Sequence, residues 1–219
     1  MKFEKYINIL PEVPGIQGKE EYFNSSILVL MTEIAGEDCF VLERRNLSIS
    51  QGGEICFPGG KIDKSDLNEL QTSLRETHEE LGILESEIEI IGRMNTVIAP
   101  MGATVDAFLG FVDEVTLDQM KINRKEVEEV IIVPISEFKT VDKYFVRIEM
   151  HPTTFDKKMG QELITFPAQE LGLPDKYTKP WGEFKYPVYV YKTSKGIIWG
   201  ITARFIHDVI CKLEEGHVK

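Results

Sequence analysis

Two neighbouring segments of the sequence read FPGGK (residues 57–61) and LRETHEELG (residues 74–82). The second segment is typical of a helix, and offsets of three and four residues place Glu76, Glu79 and Glu80 on one face of that helix. Like charges at this spacing repel each other. We therefore expect a positive partner among them, and a hard divalent cation, which prefers oxygen ligands, is the best candidate.

The glycines before this helix are expected to form a turn, and they allow a close approach between backbone and ligand because glycine has no Cβ. A carbonyl near Gly59 or Gly60 can join carboxylates in binding Mg²⁺, which proteins usually hold through one or two carboxylates together with substrate phosphates. Arg75 lies next to Glu76 and four residues before Glu79, so it can pair with these acids and orient them. Three glutamates without this context would be better interpreted as a solvated acidic helix face.

The residues around the acids also predict the limits and the packing of the helix. Asp66 is suited to cap its N-terminus with Glu69 completing a capping box, and Gly82 is suited to follow its last turn, so we predict a helix over residues 67–81. An apolar stripe opposite the acids consists of Leu67, Leu70, Leu74 and Leu81. The prediction is a helix that packs by its leucines and presents its acids to a cleft.

The rest of the chain alternates between strand and helix patterns. The predicted strands cover residues 26–32, 39–42, 54–57, 88–91, 94–98, 107–112 and 130–133. A hairpin of residues 186–192 and 196–199 precedes a predicted terminal helix over residues 202–213. No linker is evident, so we predict a single α/β domain over residues 1–219, with an insertion at about residues 140–185 for which the pattern predicts no elements.

Composition narrows the class of protein. The chain has 219 residues and a formal net charge of −11, which argues against general affinity for nucleic acid because phosphate neutralisation needs a basic surface. The three cysteines, Cys39, Cys56 and Cys211, follow neither a zinc nor a disulfide pattern. The first residues lack the apolar core of a signal peptide, and no apolar run is long enough to span a bilayer. We expect a cytoplasmic protein without a membrane partner.

Residues 60–83 resemble the Nudix box, Gly-x5-Glu-x7-Arg-Glu-U-x-Glu-Glu-x-Gly-U, in which U is aliphatic. The matching residues are Gly60, Arg75, Glu76, Glu79, Glu80, Gly82 and Ile83. The first acid is Asp66 instead of glutamate, Arg75 comes one residue later than in the generic spacing, and Thr77 replaces an aliphatic residue.

Two of these departures are similar to the coenzyme A pyrophosphatases of the family, which commonly show Phe-Pro-Gly-Gly-x5-Asp and then Leu-Arg-Glu-x-x-Glu-Glu. Their upstream signature is matched in part, because Arg44, Gly53 and Glu54 are kept while its serine, Leu-Arg pair and histidine are replaced. Residues 126–135 and the segment IWGITA (residues 198–203) are also similar to that subfamily. The resemblance covers roughly residues 26–138 and 186–213.

The resemblance implies an α/β/α sandwich with a mixed sheet and a site built around Mg²⁺ or Mn²⁺. It implies Glu76 and Glu80 as the main metal ligands, with Glu79 as a further ligand or as the general base and the carbonyl of Gly59 as a backbone ligand. Family members often add a glutamate from a later loop, for which Glu126 is the candidate, ahead of Glu128 and Glu129. Arg75 is the orienting residue of the catalytic set, and the substrate-binding candidates are Arg44, Gly60 and Lys61.

The function implied by the resemblance is metal-dependent hydrolysis of the diphosphate bond in coenzyme A or an acyl-coenzyme A, giving 3′,5′-ADP and 4′-phosphopantetheine products. The replaced upstream residues and the long insertion leave a second substrate class open, namely ADP-ribose or another nucleoside diphosphate derivative. A third alternative is a Nudix module that binds a nucleotide without cleaving it. The expected partner is a small nucleotide substrate, and a homodimer through the insertion is an open alternative.

Overall fold

The computed structural model describes residues 3, 9, 11 and 13–216 of the chain. Its contacts divide the chain into two compact units, Met1–Ile132 and Val133–Lys219. The assignment of residues 1–219 to one Nudix domain stays a prediction. Among the described residues, no helix combines the length and the apolarity needed to cross a membrane.

The first unit is organised by a mixed sheet. Its strands are β1 (Phe23–Ile34), β2 (Glu37–Arg45), β3 (Ile55–Cys56), β4 (Gly59–Lys61), β5 (Glu89–Arg93), β6 (Val97–Ala99), β7 (Ala103–Phe111) and β8 (Val127–Pro134). The main order is β3-β2-β1-β7-β5, and β4, β6 and β8 pair with β1, β7 and β2. Because β1 and β7 are parallel while β1 and β2 are antiparallel, the predicted α/β fold with a mixed sheet is confirmed.

The helix predicted from the acidic segment is α1 (Glu69–Leu81). Its N-cap is Asn68, whose side chain accepts a hydrogen bond from the backbone N–H of Gln71 at 3.0 Å, so the prediction of Asp66 as the cap was wrong. The carboxylate of Asp66 binds the side chain of Arg75 instead. Gly82 ends the helix as predicted, with φ 73° and an N–H that donates to the carbonyl of His78.

The packing face of α1 differs in part from the predicted leucine stripe. Leu74 and Leu81 are buried in the core and Leu70 packs against it, as expected. Leu67 is 86% exposed because the helix begins after it. Glu80 is only 4% exposed, so one of the three acids lies on the buried side of the helix. The remaining helical segments of this unit are α2 (Glu114–Asp118) and 3-10 turns at Lys19–Glu21 and Glu85–Glu87.

The second unit contains the predicted hairpin and terminal helix. Its elements are β9 (Asp142–Met150), β10 (Thr153–Asp156), β11 (Gln161–Ile164), β12 (Trp181–Thr193), β13 (Gly196–Trp199) and α3 (Gly200–Gly216), with 3-10 turns at Ile135–Phe138 and Asp175–Thr178. β13, β12 and β9 form one sheet in that order, and β10 pairs with β11. The rings of Phe138 and Tyr191 meet edge to face at 5.1 Å between centroids, within its core.

Candidate active site

The Gly-Gly segment forms a strand where the sequence predicted a turn. In β4, Gly59 lies opposite Ile27 and Gly60 lies opposite Ser26 of β1. A Cβ at Gly59, whose φ is +148°, would lie 2.5 Å from the carbonyl oxygen of Ser26, and a Cβ at Gly60 would lie 2.5 Å from the carboxyl carbon of Glu76. Real Cβ atoms do not approach so closely, so the pairing of β4 with β1 depends on glycine at position 59, and the contact of β4 with Glu76 depends on glycine at position 60.

The carboxylates of α1 differ in their surroundings. Glu80 is almost fully buried, and its Oε2 accepts a hydrogen bond from the backbone N–H of Gly59 at 2.9 Å. The side chain of Glu76 is 15% exposed and that of Glu79 is 50% exposed. Of the predicted ligands, Glu80 is therefore fixed to the glycine strand β4, Glu76 lies against that strand, and Glu79 faces solvent.

Arg75 is the centre of the polar contacts around these acids. Its guanidinium donates to Asp66 twice, at 2.9 and 3.0 Å, and lies 2.9 Å from Glu76 Oε1. It also donates to Glu79 at 3.3 Å and to the carbonyl of Lys61 at 3.3 Å. The structure thus brings the predicted orienting residue into contact with two of the three box glutamates.

Burial raises the pKa values of the enclosed acids. The pKa of Glu80 is raised by burial first and then by the negative charge of Glu43, although the Gly59 N–H acts against the shift. Burial also raises the pKa of Glu76, against the influence of Arg75, and the negative charges of Glu79 and Glu126 add to the increase. The protein alone therefore stabilises the ionised forms of Glu76 and Glu80 poorly.

Glu43 is a member of this cluster that was not predicted. It lies on β2, is 1% exposed, and its Oε2 has no hydrogen-bond partner among the described residues. Burial raises its pKa, Arg45 opposes the increase, and Glu126 and Glu76 add to it. The available sequence signal was a glutamate directly after the apolar run FVL (residues 40–42), at the end of the predicted strand over residues 39–42.

The later glutamates are separated by the structure. Glu126 is half-buried just before β8, and its charge contributes to the raised pKa values of Glu43 and Glu76. Glu129 is exposed and binds Arg44 at 2.8 Å, and Glu128 is exposed. Glu126 therefore acts electrostatically on one of the box acids, Glu76, and on Glu43.

The predicted substrate-binding residues also lie in different surroundings. Arg44 donates to Glu129 and, at 3.2 Å, to the carbonyl of Gly53. Arg45, the next residue of β2, lowers the pKa values of both Glu43 and Glu80 by its positive charge. The ammonium of Lys61 lies 6.0 Å from the ring centroid of Phe23. Arg45 is thus a cation of β2 whose charge acts directly on the buried acids. The sequence did not predict it as a site residue.

The donor chemistry of the cluster fits a divalent cation. Its side chains are carboxylates, the ligands that hard cations prefer, and the orphaned oxygen of Glu43 is a buried acceptor without a donor. In the described part of the chain, no three acidic, histidine or cysteine side chains already converge as a metal-binding group. Arg75 holds Glu76, and the Gly59 N–H holds Glu80.

Curated proteins share this sequence to different extents. The chain is 29% identical to Nudix hydrolase 3 of Caenorhabditis elegans over 96% of its own length and 84% of that protein. It is 32% identical to the mitochondrial coenzyme A diphosphatase NUDT8 of Homo sapiens and 36% identical to the peroxisomal coenzyme A diphosphatase NUDT7 of Mus musculus. Those matches cover 52% and 42% of this chain, and the chain spans only 49% and 39% of those two relatives.

A solved structure of a C. elegans Ap4A hydrolase binary complex matches 52% of this chain and 81% of its own, with a TM-score of 0.44 and 19% identity. The NUDIX domain family matches residues 23–153, which include the glycine strand, α1 and Glu126. Nudix hydrolases generally use divalent metal ions and cleave diphosphate bonds. Because this family match covers more than half of the chain, the protein belongs to the Nudix family of diphosphohydrolases.

Proposed function

We propose that this Nudix hydrolase cleaves the diphosphate bond of coenzyme A or an acyl-coenzyme A, giving 3′,5′-ADP and 4′-phosphopantetheine products. The observation that carries the proposal is the double hydrogen bond between Asp66 and Arg75. Aspartate as the first acid and the later arginine are the two departures that resemble the coenzyme A subfamily, and here they act as one unit. The relatives named as coenzyme A diphosphatases support the same substrate.

The residues of the chain have separate tasks in this reaction. The Gly59 N–H fixes Glu80, and Arg75 fixes Glu76 and Glu79, so the acids are positioned before the substrate binds. Glu79, half-exposed beside this cluster, and Glu126 are the two candidates for the base that takes a proton from the attacking water. Hydrolysis of a diphosphate needs positioning and electrostatic stabilisation more than covalent catalysis.

Mg²⁺ or Mn²⁺ is the proposed cofactor, with Glu76, Glu80 and the Gly59 carbonyl as ligands, and with Glu79 as a further ligand where Glu126 is the base. A bound cation supplies neutralisation of the diphosphate charge and a water of lowered pKa. The raised pKa values of Glu76 and Glu80 support a cation at this place, because the protein leaves their ionised forms poorly compensated. Arg44, Gly60 and Lys61 stay proposed as substrate-binding residues, and Arg45 joins them through its effect on the acids.

A second substrate class is favoured by the extent of the matches. Nudix hydrolase 3 of C. elegans, which matches 96% of this chain, carries a name without a substrate, whereas the coenzyme A diphosphatases match only about half of the chain. ADP-ribose or another nucleoside diphosphate derivative is therefore the alternative. Both classes share the diphosphate that the acidic cluster would bind.

The test is a substrate panel with purified protein and Mg²⁺, comparing coenzyme A, an acyl-coenzyme A and ADP-ribose. The expected result is a kcat/KM for coenzyme A or its thioester well above that for ADP-ribose, with 3′,5′-ADP as a product. Faster cleavage of ADP-ribose would overturn the proposed substrate. Binding of one compound without any cleavage would show the non-catalytic module.

Glu80→Gln tests the proposed metal site in the same panel. Because a metal supplies several kcal/mol of transition-state stabilisation, kcat/KM is expected to fall by at least about 100-fold. Calorimetric titration with Mn²⁺ is expected to show weaker binding by the variant, independent of turnover. Glu85→Gln, at an exposed position, is the matched control for both measurements. Unchanged Mn²⁺ binding by Glu80→Gln would remove Glu80 from the ligand set.

A further inference from the structure

The strand β9 forms an edge of the sheet in the second unit. It pairs antiparallel with β12, from Asp142 opposite Val190 to Met150 opposite Trp181, and no other strand pairs with it among the described residues. Half of its backbone N–H and C=O groups therefore point away from the sheet. Such a row of unpaired groups is a template for another strand.

β9 also carries exposed apolar side chains on both faces. Tyr144 is 56% exposed and Val146 is 51% exposed on one face, and Phe145 is 59% exposed on the other. Natural edge strands are commonly protected by charged side chains, proline, bulges or covering elements, and within the part of the chain that the structure describes β9 has only the charged side chains. β9 has no proline, and the register shift in its pairing with β12 adds the extra residue to β12 and not to β9, so the backbone of β9 leaves the edge open to pairing.

The edge of β12 that faces away from β9 has the geometric protection that β9 lacks. Pro187 has no N–H, and its carbonyl accepts a hydrogen bond from Arg204 Nη2 at 2.9 Å. A register shift falls between Trp181 and Phe184, next to Gly182 with φ 72°. These features oppose strand addition at β12. The other edge strand of this sheet, β13, has only four residues, so β9 with nine residues is the longer open edge.

Pro187 also indicates which groups β9 presents. It lies opposite Phe145, has no N–H, and its carbonyl accepts a hydrogen bond from Arg204, so we infer that Pro187 and Phe145 are a non-hydrogen-bonded pair of the ladder. In an antiparallel ladder, the two residues of a non-hydrogen-bonded pair both direct their N–H and C=O groups away from the partner strand. The groups of Phe145, and by alternation those of Lys143, Arg147 and Glu149, therefore face the free edge.

We propose that β9 is a dimerisation edge, which pairs antiparallel with β9 of a second copy of this chain so that the two Val146 residues lie opposite each other. This register places Lys143 opposite Glu149 of the second copy, twice in the dimer. It also places Phe145 opposite Arg147 of the second copy, where a guanidinium can stack on an aromatic ring. The proposal does not rest on the enzyme's substrate.

Charge complementarity selects this register over its neighbours. Centring the pair on Phe145 would place Lys143 opposite Arg147 of the second copy, and centring it on Arg147 would place two arginines opposite each other. Like charges directly opposite one another destabilise a strand pair, whereas opposite charges and aromatic pairs stabilise it. With Val146 at the centre, each charged residue from position 143 to 149 meets either an opposite charge or an aromatic ring.

The proposed pairing of two β9 strands is limited to a dimer. A two-fold axis through the Val146 pair uses the same strand from both copies, so no free β9 edge remains for a third copy. The six strands of the two three-stranded sheets would form one continuous sheet. The exposed apolar side chains Tyr144, Phe145 and Val146 would gain neighbours across the pair. This accounts for an apolar edge strand without open-ended association.

A charge-exchange experiment on the full chain tests both the edge and the register. Wild type is expected to sediment as a dimer at micromolar concentrations. Lys143→Glu and Glu149→Lys each place like charges opposite one another at two points, so each is expected to raise the dissociation constant by at least about tenfold. An equimolar mixture of the two variants restores both opposite-charge pairs and is expected to form a heterodimer. The double variant is expected to dimerise like wild type.

Lys139→Glu, an exposed residue outside β9, is the control for the change in net charge and should not affect association. Circular dichroism and thermal melting of the separate variants monitor the fold. A wild type that stays monomeric in this range would overturn the proposal, as would single variants that dimerise like wild type. Failure of the mixture to associate while wild type dimerises would overturn the register.

Discussion

Asp66 and Arg75 are joined by two hydrogen bonds, from Nε to Oδ1 at 2.9 Å and from Nη2 to Oδ2 at 3.0 Å. The side chain of Asp66 is 3% exposed and that of Arg75 is 29% exposed. The pair connects the loop before α1 to the middle of the helix. Because the same guanidinium holds Glu76 and Glu79, the position of these acids depends on a residue outside the helix.

Asp66→Asn is expected to lower the free energy of unfolding by about 2 kcal/mol, since it removes charge-assisted hydrogen bonds from a shielded carboxylate. Hydrogen bonds from Arg75 hold the pKa of Asp66 well below its usual range. A lowered folded-state pKa means that the stabilisation is present above the ordinary aspartate value and is lost only as pH falls through the folded value. Urea unfolding at neutral and acidic pH measures both effects, and equal stability of the two proteins at neutral pH would contradict the prediction.

Gly60→Ala is expected to reduce kcat/KM by about tenfold or more, because its Cβ would displace the carboxylate of Glu76. Gly15→Ala is the matched control, since a Cβ there meets no atom within 4 Å. Steady-state kinetics with the preferred substrate and circular dichroism of both variants make the comparison. Full activity of a folded Gly60→Ala variant would show that Glu76 need not lie against the strand.

Arg45→Ala is expected to raise KM by about tenfold, since a guanidinium beside the acidic cluster can bind a substrate phosphate through charge-assisted hydrogen bonds. Arg44→Ala is expected to change KM less, because the carboxylate of Glu129 neutralises its guanidinium, whereas Arg45 Nε donates to a neutral acceptor, the Ser50 carbonyl, at 3.1 Å. Measuring kcat and KM for both variants separates substrate binding from turnover. A larger effect at Arg44 would favour the residue that the sequence resemblance indicates.

Glu43→Gln is expected to stabilise the protein by about 1–3 kcal/mol at alkaline pH without added divalent cation, since it removes a buried charge with an unpartnered oxygen. Burial raises the folded-state pKa of Glu43, so wild type loses stability as pH rises from the ordinary value of 4.5 towards the raised value. The advantage of the variant should therefore vanish below that ordinary value. Thermal unfolding across this pH range provides the measurement, and a variant less stable than wild type at alkaline pH would contradict it.

Asp106→Asn is expected to lower the free energy of unfolding by about 3 kcal/mol at neutral pH, because it breaks the ion pairs of a fully buried carboxylate. Asp106 lies 2.8 Å from both Lys19 Nζ and Arg93 Nη2. Burial alone would raise its pKa, but hydrogen bonds from Lys19, Thr96 and Arg93 outweigh burial and hold the pKa below its usual range.

The difference between Asp106→Asn and wild type should be present above the ordinary aspartate value and should disappear as pH falls through the lowered folded value. Asp38→Asn, on an exposed residue, is the control. Urea unfolding at several pH values measures the difference. A difference that stays constant down to strongly acidic pH would show that packing, and not charge, accounts for it.

Local chemistry predicted much of the first unit. The local pattern of glycines, acids and leucines in residues 57–82 predicts a helix, so α1 and its end at Gly82 could be predicted from the sequence. The choice between Asp66 and Asn68 as the N-cap of α1 could not be predicted, because both residue types suit that position. A tertiary contact decides it, since Arg75 takes the carboxylate of Asp66 and leaves Asn68 at the helix end.

The unpredicted parts depend on contacts between distant residues. Glu43 and Arg45 belong to the acidic cluster because β2 crosses near α1, which no local pattern of residues 37–45 encodes. β9 was not predicted because a strand that is exposed on both faces shows no alternation between apolar and polar residues. The sequence likewise predicted a turn at Gly59 and Gly60, where pairing with β1 makes a strand.

Glu80 and Leu81 are consecutive residues of α1 that are both almost fully buried, one at the acidic cluster and one in the hydrophobic core. A helix is stiff, so any shift that repacks Leu81 carries the carboxylate of Glu80 with it. Substitutions in this core are therefore also changes to the geometry of the site. New substrate preferences can arise more freely from segments outside α1, where a side chain can be exchanged without moving the acids.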